Sequence, residues 1–160
     1  MNKKKERILI DIKSGNWTIA EIAINYKPFT CNQTQITSIE ETYHLIRSLW
    51  DDQTICLQEQ FVAFYFNTAN RILGHRVICT GNMKSCLVDV KLLCSLALHS
   101  LCSAVVIAHN HPSGNLKPSE KDFAITLKIQ QALQLIDVEL LDHFIISDSG
   151  YASFAECGWL

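Results

Sequence analysis

The sequence predicts a mixed α/β domain, a central sheet flanked by helices, and three observations lead to that class. β-rich runs alternate with helical-period runs along the chain. The apolar run 103–108 (SAVVIA) is continuous rather than alternating, as expected of a strand covered on both faces. A helix and a second β-rich run, 138–147, follow it, which completes the mixed order of a sheet flanked by helices.

The elements follow in order. Residues 17–26 alternate as a half-buried strand and end at Lys27-Pro28. Ser38-Ile39-Glu40-Glu41 reads as a capping box, and its helix should reach about Trp50 with Tyr43, Ile46 and Trp50 on one face. Runs 60–67 and 71–80 flank Thr68-Ala69-Asn70 and form a hairpin. Residues 90–101 are apolar around most of their circumference, which predicts a helix buried in the body of the domain. The 111–118 loop holds Pro112, Gly114 and Pro118 and breaks regular structure. Ser119 opens a helix whose Ile125, Ile129, Ala132, Leu133 and Ile136 recur at helical spacing. Ser149-Gly150 turns the chain after the last strand. No internal repeat or low-complexity linker interrupts this order.

Composition narrows the function classes. A chain of 160 residues suits one domain, and its 48% apolar share is ample for a core. A formal charge of −2 gives no electrostatic case for nucleic-acid binding, and Lys3-Lys4-Lys5 reads as a solubilising tail. No apolar run is long enough for a transmembrane helix, and the basic start lacks the core of a secretion signal. The cytoplasm is the expected location. Seven cysteines, none in C-x-x-C spacing, fit reduced core thiols without assigned function. Oligomeric state is not readable from these residues.

The chemistry is concentrated in residues 109–122. His109 and His111, spaced i, i+2 at a strand end, project to one side because strand side chains alternate. Pro112 stops the strand, and Asp122 then comes from the first turn of the helix opened by Ser119. Two nitrogens and a carboxylate leave a fourth tetrahedral position open, as in a catalytic rather than a structural zinc site. Taken without more context, a His-x-His pair is as compatible with hydrogen-bonded histidines, and Ser119 with Asp122 could simply cap a helix.

His-x-His, seven residues, Ser, two residues, Asp is the JAMM (MPN-plus) pattern, and the form His-Asn-His-Pro-Ser-Gly followed by Pro-Ser-x-x-Asp resembles the RadC family. Glu59-Gln60-Phe61, Leu141-Asp142-His143 and Tyr151-Ala152-Ser153-Phe154 add to a similarity spanning residues 55–157. The resemblance implies a JAB/MPN-like fold of cytidine-deaminase-like architecture. It divides the chain into an N-terminal strand and helix, 1–52, and a RadC-like JAMM domain, 53–160. It implies one zinc ion on His109, His111 and Asp122, with Glu59 as general base on the attacking water and Ser119 as donor to the oxyanion. Glu40 and Glu41, on an amphipathic helix, are poorer candidates for the base. Asn110 and Ser113 border the site as loop-shaping residues, and Asp142-His143 is a family feature without a derived role.

Two departures stand out. Where many RadC proteins open a helix with Pro-Arg-Glu, this chain has Asp89-Val90-Lys91, with no guanidinium to make a contact there. Only about fifty residues precede the domain, so the helix-hairpin-helix segment of longer members is expected to be missing.

The function implied is a zinc-dependent metallohydrolase acting on a peptide or isopeptide bond. The alternative is a non-catalytic metal-binding module in DNA maintenance or mobile-element biology. A zinc deaminase is excluded, because that chemistry needs H-x-E and P-C-x-x-C. Iron or manganese would also accept two histidines and one carboxylate.

Overall fold

The computed structural model describes residues 10–12, 15–17, 35–81 and 87–160. A two-stranded antiparallel ribbon, β1 (Ile10–Ile12) and β2 (Gly15–Trp17), precedes the main body. The strand expected over 17–26 lies outside the described residues except for Trp17 at the end of β2.

The body is a mixed, open five-stranded sheet between helices. It contains α1 (Ile39–Ser48), β3 (Gln60–Phe66), β4 (Ile72–Thr80), α2 (Val90–Ser100), β5 (Ala104–Asn110), α3 (Glu120–Gln134), β6 (Glu139–Ile146) and β7 (Tyr151–Ser153). The strand order is β4-β3-β5-β6-β7. β3 runs antiparallel to both β4 and β5, β5 and β6 are parallel, and β7 returns antiparallel to β6. Parallel strands need a crossover, and α3 supplies it.

Period-two alternation sorts the central strands onto two faces. Phe61, Ala63, Tyr65, Val105 and Ile107 pack with Leu93 and Ala97 of α2 and with Ile129 and Leu133 of α3. Val62, Phe64, Phe66, Val106, Ala108, Phe144 and Ile146 pack with Ile46 and Trp50 on the α1 side. Every residue of β5 is buried, which accounts for its unbroken apolar run.

Local signals act largely as the sequence predicts. Ser38 caps α1 by accepting the Glu41 N–H, but the Glu41 carboxylate reaches one residue further back than a capping box requires, taking the N–H and hydroxyl of Thr37. The hairpin forms with Asn70 in the left-handed region at φ 53°. Two expectations need correction. α2 lies on the surface layer: only Leu93 and Ala97 are buried, while Leu98 is exposed. Its apolar circumference therefore over-reads the burial. Cys79 is disulfide-bonded, so the reading of all seven cysteines as reduced thiols does not hold, although Cys56, Cys94, Cys102 and Cys157 are free.

Candidate metal centre

The centre forms where β5 ends and α3 begins. His109 sits in the last turn of pleat of β5, on the face that carries Val105 and Ile107, and its side chain is almost wholly buried. His111 follows two residues later and lies on the same side, with its N–H held by the Ile146 carbonyl at 2.9 Å. The chain then turns through Pro112, Ser113 and Gly114. Gly114 adopts φ 77°, a conformation that favours glycine, and its N–H returns to the His111 carbonyl at 3.0 Å.

α3 begins in a full capping box. The Ser119 Oγ accepts the Asp122 N–H, and the Asp122 carboxylate accepts the Ser119 N–H at 2.6 Å. The Ser119 hydroxyl also donates to Asp122 Oδ2 at 2.6 Å. Capping and ligand geometry thus coincide, because the box fixes the carboxylate while its Oδ1 faces His109.

His109 Nε2 lies 2.9 Å from His111 Nε2 and 3.2 Å from Asp122 Oδ1, and His111 Nε2 lies 3.7 Å from Asp122 Oδ2. The three residues offer ligand atoms all within 4.8 Å of one another. Tetrahedral zinc with bonds of about 2.05 Å holds its donors about 3.3 Å apart, so shifts of a few tenths of an ångström suffice. The donor set therefore fits one divalent ion. Among the described residues it is the sole His/Cys/Asp/Glu grouping of this kind.

The outer ring nitrogens are held as well. His111 Nδ1 lies 2.5 Å from the Asn115 carbonyl, which can only accept, so in the neutral ring Nδ1 carries the proton and Nε2 is the ligand atom. His109 Nδ1 lies 2.8 Å from Nε2 of His143, a residue of β6 with no exposed surface. Phe154 stacks on the His143 ring at 4.6 Å, and the Phe61 ring lies 5.6 Å from it. Asp142 anchors that arrangement. Its carboxylate accepts from Ser153 Oγ at 2.6 Å and from the Ala155 N–H at 2.9 Å, either side of Phe154.

Electrostatics follow from burial and close neighbours. Burial works to raise the Asp122 carboxyl, but the adjacent His109 and His111 imidazoles outweigh it and hold the group well below the carboxylate range. Burial would lower His111, yet Asp122 and the Asn115 carbonyl lift it above 6.5. His143 is pushed well below 6.5, chiefly by burial and then by its His109 neighbour, so it is neutral.

A cavity of about 470 Å³ opens beside the ligands, lined by Glu59, His111, Ser113, Ser119 and Asp122 and rimmed by Lys117, Lys121 and Lys128. Glu59 lies just ahead of β3, outside the ligand cluster. Burial raises its carboxyl above 4.5 against the opposing pull of His109. Ser113 accepts the Asn115 N–H at 3.4 Å and so shapes the loop. Asn110 points to the opposite face of β5. There its Oδ1 accepts from Trp50 Nε1 and the Gln60 N–H, while its Nδ2 donates to the carbonyls of Ile55 and Gln58.

All the expected residues except Asn110 thus face the ligand cluster or its cavity. The sequence reasoning missed Thr126, one helical turn after Asp122, and gave His143 no role. The i, i+4 spacing from Asp122 was the available signal for Thr126.

A family model described as a RadC-like JAB domain matches residues 36–159. A UPF0758 protein of Saccharophagus degradans is 42% identical over 102 residues, covering 64% of this chain and 46% of the relative. UPF0758 proteins of Photobacterium profundum and Vibrio parahaemolyticus are 35% and 34% identical over 125 residues, each covering 78% of this chain and 54% of the relative. The chain spans about half the length of the curated relatives it matches. With the family model covering most of the sequence, from α1 to the C-terminal turn, the chain belongs to the RadC family of JAB domains.

Proposed function

We propose that this domain binds one zinc ion at His109, His111 and Asp122 and hydrolyses an amide bond, of a peptide or isopeptide, in the adjoining cavity. The observation that carries the reading is the convergence of both Nε2 atoms and one carboxylate beside a cavity that Glu59 also lines. When bound, zinc supplies a Lewis acid that polarises the scissile carbonyl and makes water more acidic. Glu59 takes the proton of the attacking water and delivers it to the leaving nitrogen, a role favoured by a carboxyl whose basicity burial has raised. Ser119, already at the cavity wall, turns its hydroxyl from Asp122 towards the developing oxyanion.

A second reading keeps the metal and drops the hydrolysis: a metal-binding module in DNA maintenance or mobile-element biology. It is favoured by the Ser119 hydroxyl being engaged with a ligand and by Glu59 standing outside the ligand cluster. The deciding experiment is metal analysis of wild type, His109→Ala and Asp122→Ala, followed by hydrolysis assays on zinc-loaded wild type and Glu59→Gln. Stoichiometric zinc lost in both ligand variants, with cleavage lost in Glu59→Gln, supports the hydrolase. Zinc retention with no cleavage of any peptide or isopeptide leaves the binding module, and salt-dependent retardation of DNA then tests it directly.

A further inference from the structure

We infer that His143 and Thr126 are positioning residues that lock His109 in the tautomer able to ligate a metal through Nε2. The inference rests on the proposed metal centre. It follows from the one direction in which three successive hydrogen bonds can run.

The chain of bonds starts at an atom with no choice. The backbone carbonyl of Asp122 can only accept, and Thr126 Oγ1 lies 2.5 Å from it, so the Thr126 proton points there. Thr126 Oγ1 must then accept from its other neighbour, His143 Nδ1, at 2.6 Å. The His143 ring is fully buried against Phe61 and Phe154, where a second proton would be an uncompensated charge, so its one proton sits on Nδ1 and leaves Nε2 as an acceptor. His143 Nε2 lies 2.8 Å from His109 Nδ1, so His109 carries its own proton there. His109 Nε2 is left with a bare lone pair, aimed at His111 Nε2 and Asp122 Oδ1.

The series begins at the main chain of Asp122 and ends at the ring whose ligand atom meets the Asp122 side chain. One residue of α3 thus fixes a ligand on β5 twice, once through its carboxylate and once through its carbonyl. His143 is fully buried and Thr126 nearly so, so water does not compete for these bonds. Replacing the acceptor on a ligating histidine typically costs 10- to 100-fold in metal affinity.

The test uses the whole chain with ring-¹⁵N-labelled histidine and zinc titrated against a competing chelator. In metal-free wild type, the ¹⁵N shifts of His109 should report the Nδ1–H tautomer. His143→Phe should weaken zinc binding about 10- to 100-fold and mix the His109 tautomers. His143→Gln, whose amide can accept from His109 and donate to Thr126, should stay within a few-fold of wild type. Thr126→Val keeps the shape, lacks the acceptor and should weaken binding in the same direction, which covers a His143→Phe chain that does not fold. Unchanged affinity in both His143→Phe and Thr126→Val would overturn the inference, as would a wild-type His109 protonated on Nε2. Failure of wild type to bind zinc at all would sink the metal centre instead, and the tautomer measurement would still decide the hydrogen-bond chain.

Discussion

Asn110 Oδ1 accepts the backbone N–H of Gln60 at 2.7 Å, tying the residue after His109 to the residue after Glu59. The same side chain holds Trp50 and two carbonyls of the 55–58 turn, so all four of its hydrogen-bonding positions are used. Among the described residues no buried side-chain nitrogen or oxygen lacks a partner, and this junction is the densest example.

Asn110→Ala should therefore be among the most damaging single changes outside the ligands. It removes four bonds and strands partners in a dry interior, at a cost of about 3 kcal/mol or more. Urea denaturation measures it. A loss below about 1 kcal/mol would mean that water replaces the side chain. In a variant that still folds, a displaced Glu59 should lower hydrolysis more than zinc affinity.

Glu59→Gln should retain zinc and lose about 10²- to 10⁴-fold in hydrolysis. In wild type, kcat/KM should rise with pH through a carboxyl displaced above 4.5, because the base must be ionised to act. The stability effect has the opposite sign. A carboxyl raised in the fold stabilises below its ordinary pKa, and that contribution is lost as pH rises through the folded value. Glu59→Gln should then melt no lower than wild type at pH 7, and a clear drop in Tm would assign Glu59 a structural role.

Metal affinity should fall as pH falls through the raised His111 value, above 6.5. Zinc takes a neutral imidazole, so it must displace the proton that Asp122 and Asn115 help to hold. Calorimetry in buffers of different ionisation enthalpy reads the protons released. Release that does not increase from pH 8 to pH 6.5 would contradict the assignment. In the metal-free protein, the raised His111 stabilises below the ordinary histidine pKa, and this is lost as pH rises through the folded value.

Leu101→Gly should stabilise the fold. Leu101 ends α2 with φ 51°, in the region that residues other than glycine and asparagine rarely adopt, and it is 87% exposed. Relief of that strain outweighs the greater unfolded-chain freedom of glycine by about 0.5–1 kcal/mol. Thermal melting should show a rise of about 1–4 °C.

The legibility of this molecule follows the range of its interactions. Ser38, Ser119 and the i, i+2 histidines act within a few residues, so capping and ligand spacing can be read along the chain. Ile129 and Leu133 were equally plain, because one helix face carries them. The burial of α2 was misjudged because Leu98 and Leu101 are apolar yet exposed, and composition does not say which side meets the sheet. The roles of His143 and Thr126 depend on β6 lying beside β5 under α3, a pairing between residues far apart in sequence. Asn110 was seen at the site but not its direction: it serves the α1 face, opposite the ligand two atoms of backbone away.

That opposition has a mechanical consequence. Because neighbouring residues of β5 address different layers, sliding the strand by a single position would trade imidazole for amide and cripple both layers at once. Insertions should be tolerated in the exposed 68–70 turn and rejected anywhere between Ala104 and Asn110, so a library of single-residue insertions would map the boundary between a replaceable loop and an indivisible strand.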